Sequence, residues 1–368
     1  MRAPVPNLRR LMARGVRAEA LIPGFPSKTF PNHYSIATGL YPGHHGIIAN
    51  TIWDDVAGRM FATARRNEFT DARWWGGEPI WVTAERAGLK TAPIFWPGSE
   101  ASIGDRRPSY WIPYDEAMPA SDRVRRVLDL LDAPAFDRPT LLTMYFEEPD
   151  AAGHDYGPDS QAVRDATIRA DTYLGQLTDG LQQRGLLDSV NIVVVSDHGM
   201  SATSTDRVVR VDDYISLDDV MIVDINPTLG IFPKPGKLET VYRALRNAHP
   251  RLKVYRKAET PVHWHYRDHP RIPPIVGVVD DGWQIMRGAT LADLISGTTT
   301  GNRGQHGYDP RAVSMRGIFV AAGPAFRQGT TVPAFDNVNV YDILASVLGV
   351  PPADNDGSER VARRVLRK

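Results

Sequence analysis

Five short runs of apolar residues punctuate the chain: TAPIF (91–95), TLLTMYF (140–146), NIVVVSD (191–197), PIVGVVD (274–280) and GIFVAAG (317–323). Unbroken apolar runs of this length predict strands covered on both faces. Between the second and third, residues 159–184 follow a helical period. Ala166, Ala170, Tyr173, Leu174, Leu177 and Leu181 recur at spacings of three and four, and Gly185 ends the run. Pro6-Asn7 opens a short amphipathic helix, and NVNVYDILASVLGV predicts another that stops before Pro351-Pro352. Alternation of strand and helix predicts an α/β domain with a mostly parallel central sheet between helices. Residues 203–305 break the rhythm, with Pro, Gly, Trp and His scattered through them, and part of this stretch reads as an insertion or cap over one sheet edge.

Composition narrows the picture. A chain of 368 residues can bury one large core that carries a smaller insertion. Its 43 basic and 43 acidic side chains cancel, so net charge advertises no nucleic-acid-binding surface, and the basic stretch 360–368 reads as a solvated end. There is no cysteine, which removes both a disulfide framework and a thiolate metal site. That suits a cytosol or a periplasm equally. No run of about 18 apolar residues predicts a membrane span. The opening MRAPVPNLRRLMARGV lacks the apolar segment of a signal peptide.

In a parallel sheet, chemistry gathers beyond the carboxyl ends of the strands. TLLTMYF runs into Glu147, Glu148 and Asp150, and NIVVVS runs into Asp197 and His198. Three pieces carry metal-ligand chemistry: EEPDAAGHDYGP with Asp150 and His154, VVVSDHGM with Asp197 and His198, and GNRGQHGYDP with His306. Carboxylates with imidazoles and no sulfur suit Zn²⁺ in a catalytic rather than a closed structural site. Alone, each piece has an ordinary reading: a capping pair, an Asx turn, a loop histidine. Their joint occurrence beside FPSKTFPNHYSIATGLYPGHHG points to a reactive threonine at a helix N-terminus.

Together these motifs resemble the nucleotide pyrophosphatase/phosphodiesterase family, within the alkaline phosphatase superfamily of two-metal phosphohydrolases. The resemblance covers almost the whole chain, through VPNLRRL, FPSKTFPNHYSIATGLYPGHHGII, IFWPGSE, YFEEPDAAGHDYGP, VVVSDHGM, HGYDP, IFVAAGPAF and NVYDILASVLGVPPADNDGS. It implies an alkaline-phosphatase-like fold and two zinc ions. Thr29 matches the nucleophile. Asp150, His154 and His306 match ligands of one zinc, and Asp197 and His198, with the Thr29 oxygen, match ligands of the other. Asn50 matches an asparagine that donates to a phosphate oxygen, and Phe30 and Tyr145 match the aromatic pair that sandwiches a nucleobase. The physical reading agrees: a threonine hydroxyl is a poor nucleophile unless a cation stabilises its alkoxide. Pro31 suits the first helical turn, whose free N–H groups favour an anion.

Ordinary readings stand beside these. Phe30 and Tyr145 also suit a core, and Asn50 a turn. Lys28 reads as solvated, His44 and His45 as structural, and His263 and His265 as cap-surface or substrate-facing. The sequence also departs from the family, which begins with a strand ending in a metal-binding aspartate ahead of the Pro-Asn-Leu helix. Here Pro6-Asn7-Leu8 follows Met1 almost at once, so that strand and ligand are expected to be absent, through a late start or a shortened homologue. One zinc site is then complete and the other damaged, with weak hydrolysis. If a leader exists, it lies upstream and the protein is periplasmic or secreted; otherwise it is cytoplasmic. The leading expectation is hydrolysis of nucleotide phosphodiester or pyrophosphate bonds. The alternatives are a lysophospholipid or choline phosphodiesterase with the same metal centre, and an impaired nucleotide-binding homologue.

Overall fold

The computed structural model describes residues 3–296 and 301–367; residues 1–2, 297–300 and 368, which include parts of the expected cap and basic tail, lie outside it. Strands β1 (Val16–Ala18), β2 (Thr91–Ile94), β3 (Leu141–Met144) and β4 (Ile192–Val195) precede a second group. That group comprises β5 (Val220–Ile225), β6 (Thr228–Pro233), β7 (Leu252–Arg256) and β8 (Ile275–Val279), and β9 (Phe319–Ala322) and β10 (Thr330–Val332) follow it. All five apolar runs form strands. β2, β8 and β9 are buried at every residue, as expected of strands covered on both faces. β3 and β4 are buried at their first residue and half-buried after it. Among the described residues each of these two is hydrogen-bonded on one side, β3 to β2 and β4 to β9.

Among the described residues β1–β4, β9 and β10 form a four-stranded sheet ordered β10-β1-β9-β4 and a separate β2-β3 pair, less uniformly parallel than the sequence suggests. β2 pairs with β3 in parallel, and so does β1 with β10. β9, from the GIFVAAG run, lies antiparallel to both β1 and β4. An apolar run reports burial but not direction, which depends on the path of the connecting chain. The PIVGVVD run belongs elsewhere. It forms β8 of a separate antiparallel sheet ordered β5-β6-β8-β7, which lies within the stretch read as a cap.

Helices α1 (Pro6–Arg14), α2 (Thr29–Thr38), α3 (Ala120–Leu131), α4 (Asp150–Tyr156), α5 (Gln161–Gln183) and α6 (Asn339–Leu348) surround the strands. Ser160 caps α5 by accepting from the Val163 N–H, and Ala166, Leu177 and Leu181 form its buried stripe. Buried Asp171 on α5 accepts from the backbone N–H groups of Asn7 and Leu8, so it caps α1 from a neighbouring helix. The helix carrying the threonine, α2, is buried from Pro31 to Thr38 and ends at Gly39, whose φ of 71° suits glycine. The cap sheet is fastened to this layer at two places. Phe25 stacks on Trp264 at 3.7 Å, and Arg271 donates to Asp54 at 2.9 Å while its guanidinium covers Trp74.

Candidate active site

Three chain segments far apart in sequence converge. Asp150 opens α4, His154 lies one turn later on the same face, and His306 follows the short strand Gly304–Gln305. His154 Nε2 and His306 Nε2 are 3.1 Å apart, with Asp150 oxygens 3.5 and 3.6 Å away from them. Ligands held tetrahedrally about 2.0–2.1 Å from a zinc are about 3.4 Å from one another, so this spacing fits. The second group adjoins the first. Asp197 and His198 follow β4, and His198 Nε2 is 3.0 Å from Asp197 and 3.4 Å from Thr29 Oγ1. The His198 and His306 rings stack at 3.6 Å, which places the groups side by side.

Each of the three rings is anchored from behind. The Nδ1 atoms of His154, His198 and His306 each donate, at 2.9 Å, to the carbonyl oxygens of Gly304, Gly199 and Ser27. That contact fixes the tautomer and leaves Nε2 facing the cluster, the arrangement a metal-binding imidazole needs. Asp150 Oδ1 is buried without a hydrogen-bond partner, an orphan that a cation would satisfy. The electrostatics split the rings. Burial would lower His198, but the Asp197 carboxylate outweighs it and pushes the ring up to about 9. His306 is held well below the usual range by burial and by the charges of His198 and His154. Burial raises Asp150, whereas for Asp197 the opposing pull of His198 and His33 prevails and lowers it.

Known proteins resemble this chain over most of its length. A family model described as type I phosphodiesterase / nucleotide pyrophosphatase matches residues 1–309. The human ectonucleotide pyrophosphatase/phosphodiesterase family member 5 is 34% identical over 357 residues, covering 97% of this chain and 73% of its own. The Xenopus laevis bis(5'-adenosyl)-triphosphatase enpp4 is 37% identical over 359 residues, covering 97% and 76%. The solved murine family member 5 superposes with a TM-score of 0.93 at 36% identity, covering 99% of this chain and 95% of that one. The chain belongs to the type I phosphodiesterase / nucleotide pyrophosphatase family. Its fold is the alkaline-phosphatase-like α/β fold of that structure, and the family is one of hydrolases.

Thr29 is the first residue of α2. Asn50 Oδ1 accepts from the Phe30 N–H at 3.1 Å, which turns its Nδ2 donor away and orients the amide. Phe30 is half-buried against Phe69 and Phe61, at 5.2 and 5.8 Å between ring centres. Tyr145 does not share those contacts: its ring meets His33 edge-on at 5.0 Å. A ring sequence reasoning passed over, Tyr114, sits at the rim, where the Arg66 guanidinium lies between Tyr114 and Phe69 at 4.6 and 4.8 Å. The Tyr114 hydroxyl donates to Glu147, three residues ahead of Asp150.

His33 was missed as well. One turn after Thr29 it lies 3.3 Å from the Asp197 carboxylate, and the PNH triplet beside the threonine was the available signal. Lys28 corrects an expectation. It is 6% exposed and bonded to both oxygens of Asp224, rather than solvated. His45 is buried against Ser35, in keeping with a structural role. His263 faces Asp309 and His265 stacks on Tyr41, so both reach from the cap stretch to residues outside it.

Proposed function

We propose that the chain is a zinc-dependent phosphodiesterase that cleaves nucleotide phosphodiester or pyrophosphate bonds through Thr29 and releases a nucleoside 5′-monophosphate. The carrying observation is the set of three imidazoles whose Nδ1 atoms are tied to carbonyl oxygens while Nε2 faces Asp150, Asp197 and Thr29. Asp150, His154 and His306 would hold one zinc, and Asp197, His198 and Thr29 Oγ1 the other. When bound, the ions supply Lewis acidity that stabilises the threonine alkoxide and the charge on the phosphate.

The residues themselves divide the remaining work. The α2 N-terminus favours the phosphate. Thr29 Oγ1 at that end gives its proton to solvent and attacks phosphorus as the bond to the leaving-group oxygen breaks. Water then cleaves the Thr29 O–P bond to free the nucleotide. Asn50 Nδ2, free of the Phe30 contact, donates to a non-bridging oxygen. Phe30 offers one face to the base. Tyr145 is the partner nominated by the sequence, and half-buried Tyr114 competes for that role on geometry. Support comes from relatives: one is named a bis(5'-adenosyl)-triphosphatase, and an inactive threonine-to-alanine variant of the murine family member 5 was solved with AMP.

Among the described residues the second position gathers one carboxylate, one imidazole and the threonine oxygen. Thr29→Ala should abolish turnover of a nucleotide phosphodiester while the fold and the first zinc survive. Turnover retained by that variant would remove Thr29 from its role.

A further inference from the structure

The residue before the nucleophile is tied to the cap. Lys28 Nζ reaches Asp224 Oδ1 at 2.6 Å and Oδ2 at 2.8 Å, and the two side chains are 7% and 15% exposed. Asp224 belongs to β5, at an irregularity where the β5–β6 register shifts, and Thr228 of β6 donates to its Oδ2 at 2.5 Å. The pair therefore spans from the α2 N-terminus to the second sheet. On its way Lys28 passes the backbone beside His306, since a side chain at Gly307 would stand 3.0 Å from Lys28 Cε.

The same backbone is held from three other sides. The Lys28 carbonyl accepts from the Asn32 N–H at 3.1 Å and from Asn32 Nδ2 at 2.8 Å. Ser27 Oγ donates to the Tyr308 carbonyl, and the Ser27 carbonyl accepts from His306 Nδ1. The Ser27–Thr29 backbone thus sits at a junction of α2, the His306 loop and the cap sheet. A buried ion pair adds little net stability over apolar residues of the same volume, so its use here lies in fixing geometry. An in-line attack tolerates little displacement of the attacking oxygen.

We propose that Lys28 and Asp224 are positioning residues through which the cap sheet sets the place of Thr29 Oγ1. This rests on Thr29 being the nucleophile. The test compares Lys28→Met with the double variant Lys28→Met/Asp224→Leu. The single variant strands a buried carboxylate, whereas the double removes both charges and keeps the interior apolar.

Both variants should lose kcat by about tenfold to a hundredfold, with KM within about twofold of the parent and bound metal unchanged. Backbone amides of residues 27–33 should exchange hydrogen faster in both. A double variant with parental kcat would reduce the pair to charge balance, and a raised KM at constant kcat would make Lys28 a substrate contact. Unchanged exchange would show that the segment is held without the bridge. Any of the three overturns the proposal. Activity retained by Thr29→Ala defeats the nucleophile assignment instead, and leaves the exchange result at 27–33 to be read separately.

Discussion

His198 and His306 have stacked rings yet opposite shifts in proton affinity: burial lowers both, the Asp197 carboxylate outweighs it at His198, and the His198 and His154 charges add to it at His306. Zinc binds neutral imidazole, so the proton on His198 must leave first. With its pKa near 9 in the metal-free protein, affinity at the Asp197–His198 position should rise about tenfold per pH unit up to that value, then level off. His306 is already neutral, so the Asp150–His154–His306 position should fill at lower pH. Zinc titrations between about pH 6 and pH 9 should show two phases that separate as pH falls. Loading at the second position that ignores pH would contradict the pairing of His198 with Asp197. At this scale the sequence was informative where chemistry is intrinsic to a side chain: carboxylates and imidazoles named themselves. Lys28 was misread because nothing local reveals Asp224, which lies in another sheet.

Elements bring these side chains together through close backbone approach. α4 and the strand Gly304–Gln305 cross at a pair of glycines, with the Met200 sulfur wedged against both. A Cβ at Gly304 would fall inside contact distance of the Gly153 carbonyl and 2.6 Å from that sulfur. The Gly304 carbonyl also anchors the His154 ring. Gly304→Ala should therefore push apart the two segments that carry Asp150, His154 and His306 and, on the proposed reading, weaken zinc there by about tenfold or more. A chelator competition at fixed pH would measure this, and parental affinity would show that the crossing has slack. Helical periods predicted α5 and α6 well, since the repeat of buried positions is a local property. Strand existence was equally legible. Strand partners were not, as the antiparallel β9 and the reassignment of β8 to the cap sheet show.

The whole molecule closes on itself at a corner remote in sequence. His44 donates to Asp356 at 2.6 Å, Asp356 also accepts from the Tyr41 N–H, and the cap residue His265 stacks on Tyr41 at 4.0 Å. The hydrogen bond to Asp356 raises His44 above its ordinary 6.5. Asp356 itself is lowered, because the bond from His44 outweighs the effect of burial. A histidine raised by folding contributes stability that is complete below its unfolded pKa and fades as pH climbs through the folded one. The Tm gap between the parent and His44→Gln should be widest near pH 6 and shrink toward pH 8 and above, in thermal melts of the metal-free protein. A gap that grows with pH would contradict the pair. No helix among the described residues is long and apolar enough to cross a membrane.

The sequence by itself determined which residues are chemically able to hold a divalent cation and a phosphate, and which segments are helix or strand. Those properties belong to single side chains and to short periodic stretches. Tertiary structure alone decided that His154, His198 and His306 present the same nitrogen to one space, because each carbonyl that orients them is set by backbone packing. It alone also joined Lys28 to Asp224 and gave Tyr145 a histidine for a neighbour. Contacts of that kind depend on distances between segments that no local pattern of residues encodes.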